Sequence, residues 1–122
     1  MFGTNDFLIK TRKLNVIKME DGTEYIISET RPNLKLLDGT ELQILASKDH
    51  ECFPRTDSAT YYYSVEVGLI QLSVGTLNNS LFMERFKGYQ KGNGGTYFSY
   101  VPVEELEDYI NEIGLFLEKD NN

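Results

Sequence analysis

The sequence predicts an α+β fold: a mainly antiparallel β-sheet, opened by an N-terminal meander of two hairpins, with a C-terminal amphipathic helix packed on it. Three observations predict it. Lys18-Met-Glu-Asp-Gly-Thr-Glu-Tyr-Ile-Ile27 is echoed by Lys35-Leu-Leu-Asp-Gly-Thr-Glu-Leu-Gln-Ile44, and Asp-Gly between two apolar runs is a strong hairpin signal. β-Branched and aromatic residues crowd Thr60–Val67, Leu69–Val74 and Thr96–Val101, as strands require. Finally, Val103, Leu106, Tyr109, Ile110, Ile113, Phe116 and Leu117 recur at helical spacing, which draws one apolar face down a helix. A run of strands closed by one helix is the order of an α+β domain.

Taken in order, residues 7–19 read as extended with a break near Lys13. Each Asp-Gly pair predicts a type I′ turn, with positive φ at both central residues, because Asp tolerates that region and Gly enters it freely. Arg31-Pro32-Asn33 separates the hairpins, since proline cannot donate to a ladder. Residues 46–59 show no periodicity and are rich in turn formers. That length of structureless chain invites a functional reading. Gly68 predicts a bulge or turn between two strands. Asn78-Asn79-Ser80 precedes a segment, Leu81–Phe86, that fits either a capped helix or a strand. Gly88–Gly95 is a glycine-rich turn, and Pro102 stops the last strand. The resulting organisation is one domain over residues 1–122: meander 1–46, loop 47–59, β-rich half 60–101 and helix 103–118.

Charge is distributed unevenly. The net charge is −7, yet residues 1–19 carry Lys10, Arg12, Lys13 and Lys18 against Asp6, while residues 103–122 hold seven acids against Lys119. This balance opposes generic duplex binding, which depends on neutralising phosphates. The single cysteine, Cys52, forbids an intrachain disulfide and gives no support to an oxidising compartment. The first residues lack the basic and apolar regions of a signal peptide, and no window approaches the about 20 apolar residues of a membrane span. The expectation is a cytoplasmic protein without membrane contact.

No constellation carries an obvious chemistry, and the sequence predicts neither an enzyme nor a cofactor. His50 and Cys52, each the only one of its kind, are too close along a loop to make a well-aligned nucleophile and base. Asp49-His50-Glu51-Cys52 lacks the second cluster that zinc usually needs. Two surfaces remain. The first is acidic: Glu104, Glu105, Asp108 and Glu112 on the outer face of the helix, with Asp21, Glu24, Asp38 and Glu41 at the hairpin tips, facing a protein partner with a basic surface. The second interleaves bases with aromatics, Arg55, Phe82, Arg85, Lys87, Tyr89, Lys91 and Asn93, and could hold a nucleotide or single-stranded nucleic acid by stacking and phosphate contacts. Strand alternation sends Tyr61 and Tyr63 to the core and Tyr62 outward, and a half-exposed tyrosine suits an interface or a homo-oligomer.

Asp21-Gly-Thr-Glu-Tyr-Ile-Ile-Ser-Glu29 resembles a hairpin of small acidic, phage-encoded inhibitors of an RNA-guided nuclease. That resemblance implies carboxylates set where DNA phosphates would lie, and it transfers no inhibitory residue to this chain. The second half, strands leading through Tyr97–Val101 into the terminal helix, is similar in order to the PUR and whirly-type single-strand-binding folds. The expected function is therefore a small acidic interaction protein, an inhibitor or accessory protein of phage or mobile-element type. The alternative is a nucleotide or single-strand binder using Arg85–Lys91.

Overall fold

The computed structural model describes residues 1–57, 59–71, 77–92 and 96–115, and for residues 13, 14, 26–30, 71 and 77–80 it describes the backbone alone. Its elements run α1 (Thr4–Lys10), β1 (Lys13–Lys18), β2 (Glu24–Thr30), β3 (Leu34–Lys35), β4 (Glu41–Leu45), β5 (Ser64–Gln71), α2 (Leu77–Arg85), β6 (Tyr97–Pro102) and α3 (Val103–Ile113), with a single 3₁₀ turn at Lys87–Tyr89. The class is α+β, as the sequence predicts. Both hairpins of the meander form, but they divide between two sheets. β1 and β2 make a two-stranded sheet of their own, while β3, β4, β5 and β6 pair in that order, all antiparallel.

The two Asp-Gly turns share one geometry, and it differs from type I′. Gly22 N–H donates to Met19 O (3.0 Å), Met19 N–H donates to Thr23 O (2.8 Å), and Gly22 takes φ +90°. The second copy repeats this: Gly39 N–H to Leu36 O (3.0 Å), Leu36 N–H to Thr40 O (2.8 Å), Gly39 at φ +91°. Only the glycine enters the left-handed region, because Tyr100 is the one described non-glycine residue at positive φ. The aspartates do other work. Asp21 Oδ1 accepts the Thr23 N–H (2.8 Å) and Asp38 Oδ1 the Thr40 N–H (2.9 Å), so each side chain folds over its own turn. The Asp side chain and the glycine of the repeat are thus each used by a three-residue loop ending on a left-handed glycine, while the Thr supplies backbone groups.

Residues 4–10 are helical rather than extended. Nothing local caps α1, whose N-cap Gly3 has no side chain; the cap comes from α3, where Glu107 Oε2 accepts the Thr4 N–H (2.7 Å). Asn111 Oδ1 accepts the Phe2 N–H (2.8 Å), and Leu8 is buried in the core. A helix of this length is marginal alone and is held by tertiary contacts.

Gly68 breaks nothing: β5 runs straight through it. A Cβ there would lie 3.1 Å from the Tyr97 ring and 3.3 Å from Gln43 Oε1, so the glycine lets side chains of both neighbouring strands close over β5. Residues 81–86 belong to a helix, α2, apart from Phe86 just beyond its end. Helix α3 stops at Ile113 instead of reaching 118: Gly114 donates its N–H to Ile110 O (2.8 Å) but adopts φ +95° and ψ 143°, an extended conformation open to glycine that carries the chain out of the helix. Residues 116–118 lie outside the described residues.

One contiguous core fills the space between the four-stranded sheet and the helices. Leu42 and Ile44 of β4, Val65 and Val67 of β5, and Phe98 and Val101 of β6 meet Leu106 and Ile110 of α3. Its centre is aromatic: Phe82 stands edge-on to Phe98 (5.1 Å) and Tyr109 (5.4 Å), and Phe86 edge-on to Tyr109 (5.6 Å), the geometry that the ring quadrupoles favour. Phe98 and Val101 both face inward, although three residues apart, because Ser99 and Tyr100 together oppose Glu66 alone. This bulge puts Tyr100 at φ +53° and stores about 1–2 kcal/mol of backbone strain. Loop 46–59 pins it, since Tyr100 N–H donates to Glu51 O (3.0 Å) and Ser99 Oγ to Glu51 Oε1 (2.9 Å).

Candidate functional site

Helix α3 carries the acidic surface. Its apolar positions Val103, Leu106, Tyr109 and Ile110 are buried, which leaves Glu104, Glu105, Asp108 and Glu112 exposed. No Lys or Arg occurs anywhere in α3. Glu104 and Asp108 have no ion-pair partner among the described residues. The other two are engaged. Glu105 Oε2 accepts the Tyr89 hydroxyl (2.8 Å), which pushes the phenol up from its ordinary value, and Glu112 Oε2 meets Arg85 Nη1 at 2.9 Å.

Those contacts join the two surfaces that the sequence keeps apart. Arg85 and Tyr89 belong to the basic–aromatic segment, yet they lie against α3 and satisfy its acids. Arg85 also stands 5.5 Å over the Tyr109 ring. Lys91 pairs with Glu51, which raises the ammonium and, with Ser99, holds the Glu51 carboxyl below the usual carboxylate range. Phe82 differs from the expectation of a ligand-stacking ring. It is fully buried in the aromatic core, so it presents no ring to a ligand. Arg55 lies in loop 46–59 with its Nε donating to Lys48 O (3.1 Å); Lys87 is exposed; Asn93 lies outside the described residues. The segment thus does not converge into one cation-rich pocket among the described residues.

The hairpin-tip acids are dispersed as well. Asp21 and Glu24 sit on the β1–β2 hairpin, Glu24 opposite Lys18. Glu41 accepts the Asn33 amide (2.7 Å). Asp38 lies half-buried beside α3, and its charge reaches Tyr109, whose hydroxyl is pushed up to about 12, chiefly by burial and then by Asp38. His50 and Cys52 do not form a nucleophile–base pair: His50 Nδ1 meets Ser47 Oγ (2.6 Å), while the Cys52 thiol donates to Ser47 O (3.2 Å) and is pushed up by burial. Among the described residues no group of His, Cys, Asp and Glu is arranged to hold a metal, and no helix is long and apolar enough to cross a membrane.

The tyrosine run is inverted relative to the sequence reading. Tyr62 is 7% exposed, whereas Tyr61 is 46% and Tyr63 64% exposed. Alternation fails because the strand begins only at Ser64. Ahead of it, Tyr62 is clamped by backbone bonds to the Asn5 amide (Nδ2 to Tyr62 O, 3.0 Å; Tyr62 N–H to Oδ1, 2.6 Å), and its hydroxyl donates to Thr56 O. Phe53, 61% exposed, joins the two outward rings: its centroid is 6.1 Å from that of Tyr63, which lies 4.9 Å from that of Tyr61. Strand periodicity does not reveal this cluster, because Phe53, Tyr61 and Tyr63 all lie outside the named strands.

Compared with known proteins, the chain matches no family model, no curated protein and no solved structure. Neither resemblance noted in the sequence, to the acidic inhibitors or to the single-strand-binding folds, gains support from them.

Proposed function

We propose that this protein is a non-enzymatic binding module that engages a basic macromolecular partner stoichiometrically, as an inhibitor or accessory protein does. The observation that supports this reading is the outer face of α3, where Glu104 and Asp108 stand exposed and unpaired among the described residues on a helix without a single base. A one-signed face on a rigid helix raises the encounter rate with an oppositely charged surface and repels acidic competitors. Pairing of Arg85 with Glu112 and of Lys91 with Glu51 reduces the cations left for phosphate, which favours this reading over nucleotide binding.

The test is affinity purification from the protein's own host, followed by reconstitution with the purified partner. A protein with a basic surface should co-elute at equal stoichiometry and dissociate as salt rises. Glu104→Lys with Asp108→Lys should abolish the complex, while the same change of charge on the first hairpin, Glu20→Lys with Glu24→Lys, should leave it. A complex that survives the α3 reversal contradicts the assignment.

A further inference from the structure

The aromatic cluster beside α3 extends that reading to the chemistry of the partner. Three large exposed rings lie in a row on the surface, with Tyr63 in contact with Phe53 on one side and Tyr61 on the other. They are fixed from below. Phe53 N–H donates to Ser64 O (3.1 Å) and Tyr63 N–H to Phe53 O (2.8 Å), while Tyr62 between the outward tyrosines is buried and clamped. Rigid exposed aromatics of this kind give up little conformational entropy on binding and make good anchors. Val103 N–H donates to Tyr63 O (2.9 Å), so the first turn of α3, with Glu104, starts beside the cluster.

The occupant follows from charge. Loop 46–59 carries Asp49, Glu51 and Asp57 against Lys48 and Arg55, and α3 adds only acids. No cation stands over any of the three rings among the described residues; the cation–π contact found there is Arg85 on Tyr109. A second copy of this chain would bring another net −7, which opposes self-association. Stacked nucleobases would need cations for their phosphates, and Lys91 and Arg85 are already paired. We propose that Phe53, Tyr61 and Tyr63, flanked by Glu104, dock an arginine-bearing segment of a protein partner. The guanidinium stacks on the tyrosine faces while Glu104 accepts its N–H groups. Arginine fits better than lysine because its planar, weakly hydrated head stacks and donates at the same time.

The proposal rests on the basic-partner reading above, and its test separates the two. The probes are a labelled arginine–glycine repeat peptide, its lysine counterpart and oligothymidylate, with affinity read by fluorescence anisotropy. Tyr63→Leu and Phe53→Leu replace exposed rings, so melting temperatures should stay unchanged. Each should weaken the arginine peptide about threefold, the lysine peptide should bind more weakly than the arginine one, and Glu104→Gln should weaken both peptides. If Glu104→Lys with Asp108→Lys abolishes peptide binding while the Leu variants bind as wild type, the docking site is wrong and the basic-partner reading stands. Oligothymidylate bound by wild type and lost in the Leu variants would overturn the proposal in favour of a base-stacking platform. No binding of the arginine peptide by wild type overturns it outright, leaving the basic-partner reading to its own purification test.

Discussion

The repeated Asp-Gly-Thr-Glu turn provides a matched pair of perturbations. Gly22 and Gly39 occupy the same position of the same loop at φ +90° and +91°, so Ala at either site meets the same local penalty. Placing a Cβ in the left-handed region costs about 1–2 kcal/mol. The settings differ. Gly39 closes the β3–β4 hairpin, part of the core sheet, and its turn is fastened to α3 by Leu37 N–H donating to Gly114 O (2.8 Å). Gly22 closes β1–β2, whose main contacts are internal. Val16 and Ile17, adjacent on β1 and so on opposite faces, are both exposed, as are Met19 and Tyr25. A lone two-stranded hairpin is barely stable, and its global cost cannot exceed the free energy that holds it closed. Gly39→Ala should therefore lower unfolding stability in urea by about 1–2 kcal/mol, or about 3–5 °C in melting temperature per kcal/mol for a chain this size. Gly22→Ala should lower it by less than about 0.5 kcal/mol and instead abolish hydrogen-exchange protection of the Met19 amide. Equal losses in the two variants would show that the first hairpin unfolds with the core. No loss in Gly39→Ala would refute the strain argument.

Three further outcomes follow from the same packing. Leu8→Ala, at a buried position of the helix that the sequence hides, should cost about 2–4 kcal/mol in urea unfolding; a cost of a few tenths would mean α1 is not part of the core. Cys52 should resist iodoacetamide in the native protein and react fully in denaturant, because it is buried and its thiol is pushed up; modification of the folded protein at the rate of a free thiol would contradict its placement. Tyr109 is buried, its hydroxyl has no hydrogen-bond partner among the described residues, and burial pushes it up to about 12, so the folded state keeps a proton that the unfolded chain loses near pH 10. Its contribution is complete below about pH 10 and is lost as pH climbs towards 12. Tyr109→Phe should be at least as stable as wild type at neutral pH and should lose stability less steeply over that alkaline window, which pH-jump denaturation would reveal.

Sequence pattern revealed those elements whose cause is local. Asp-Gly-Thr fixes both turns because the backbone and the Asp side chain close the loop without help, and the apolar spacing of Val103 to Ile113 survives in the buried face of α3. What it missed has a distant cause. Helix α1 is capped by Glu107, about a hundred positions along the chain, and no window around Thr4 contains that signal. Tyr61 to Tyr63 alternate in the wrong phase because Asn5 captures the Tyr62 backbone before the strand begins. The neighbours Arg85 and Lys87 suggest a ligand platform at Phe82, whereas its ring partners Phe98 and Tyr109 are on later elements. The exposure of the α3 acids is therefore legible in the sequence, the exposed aromatic cluster is not, and the pairing of Arg85 and Tyr89 with acids of α3 needs the fold.

Mapping where a cationic peptide lands separates a specific docking surface from diffuse acidity. In a ¹⁵N-resolved NMR titration with the arginine–glycine peptide, the amides of Phe53, Tyr61, Tyr63, Glu104 and Asp108 should shift together and saturate at one peptide per chain, while those of Asp21 and Glu24 stay in place. Shifts confined to the first hairpin, or spread evenly over all the acids without saturation, would contradict a specific aromatic–acidic docking surface.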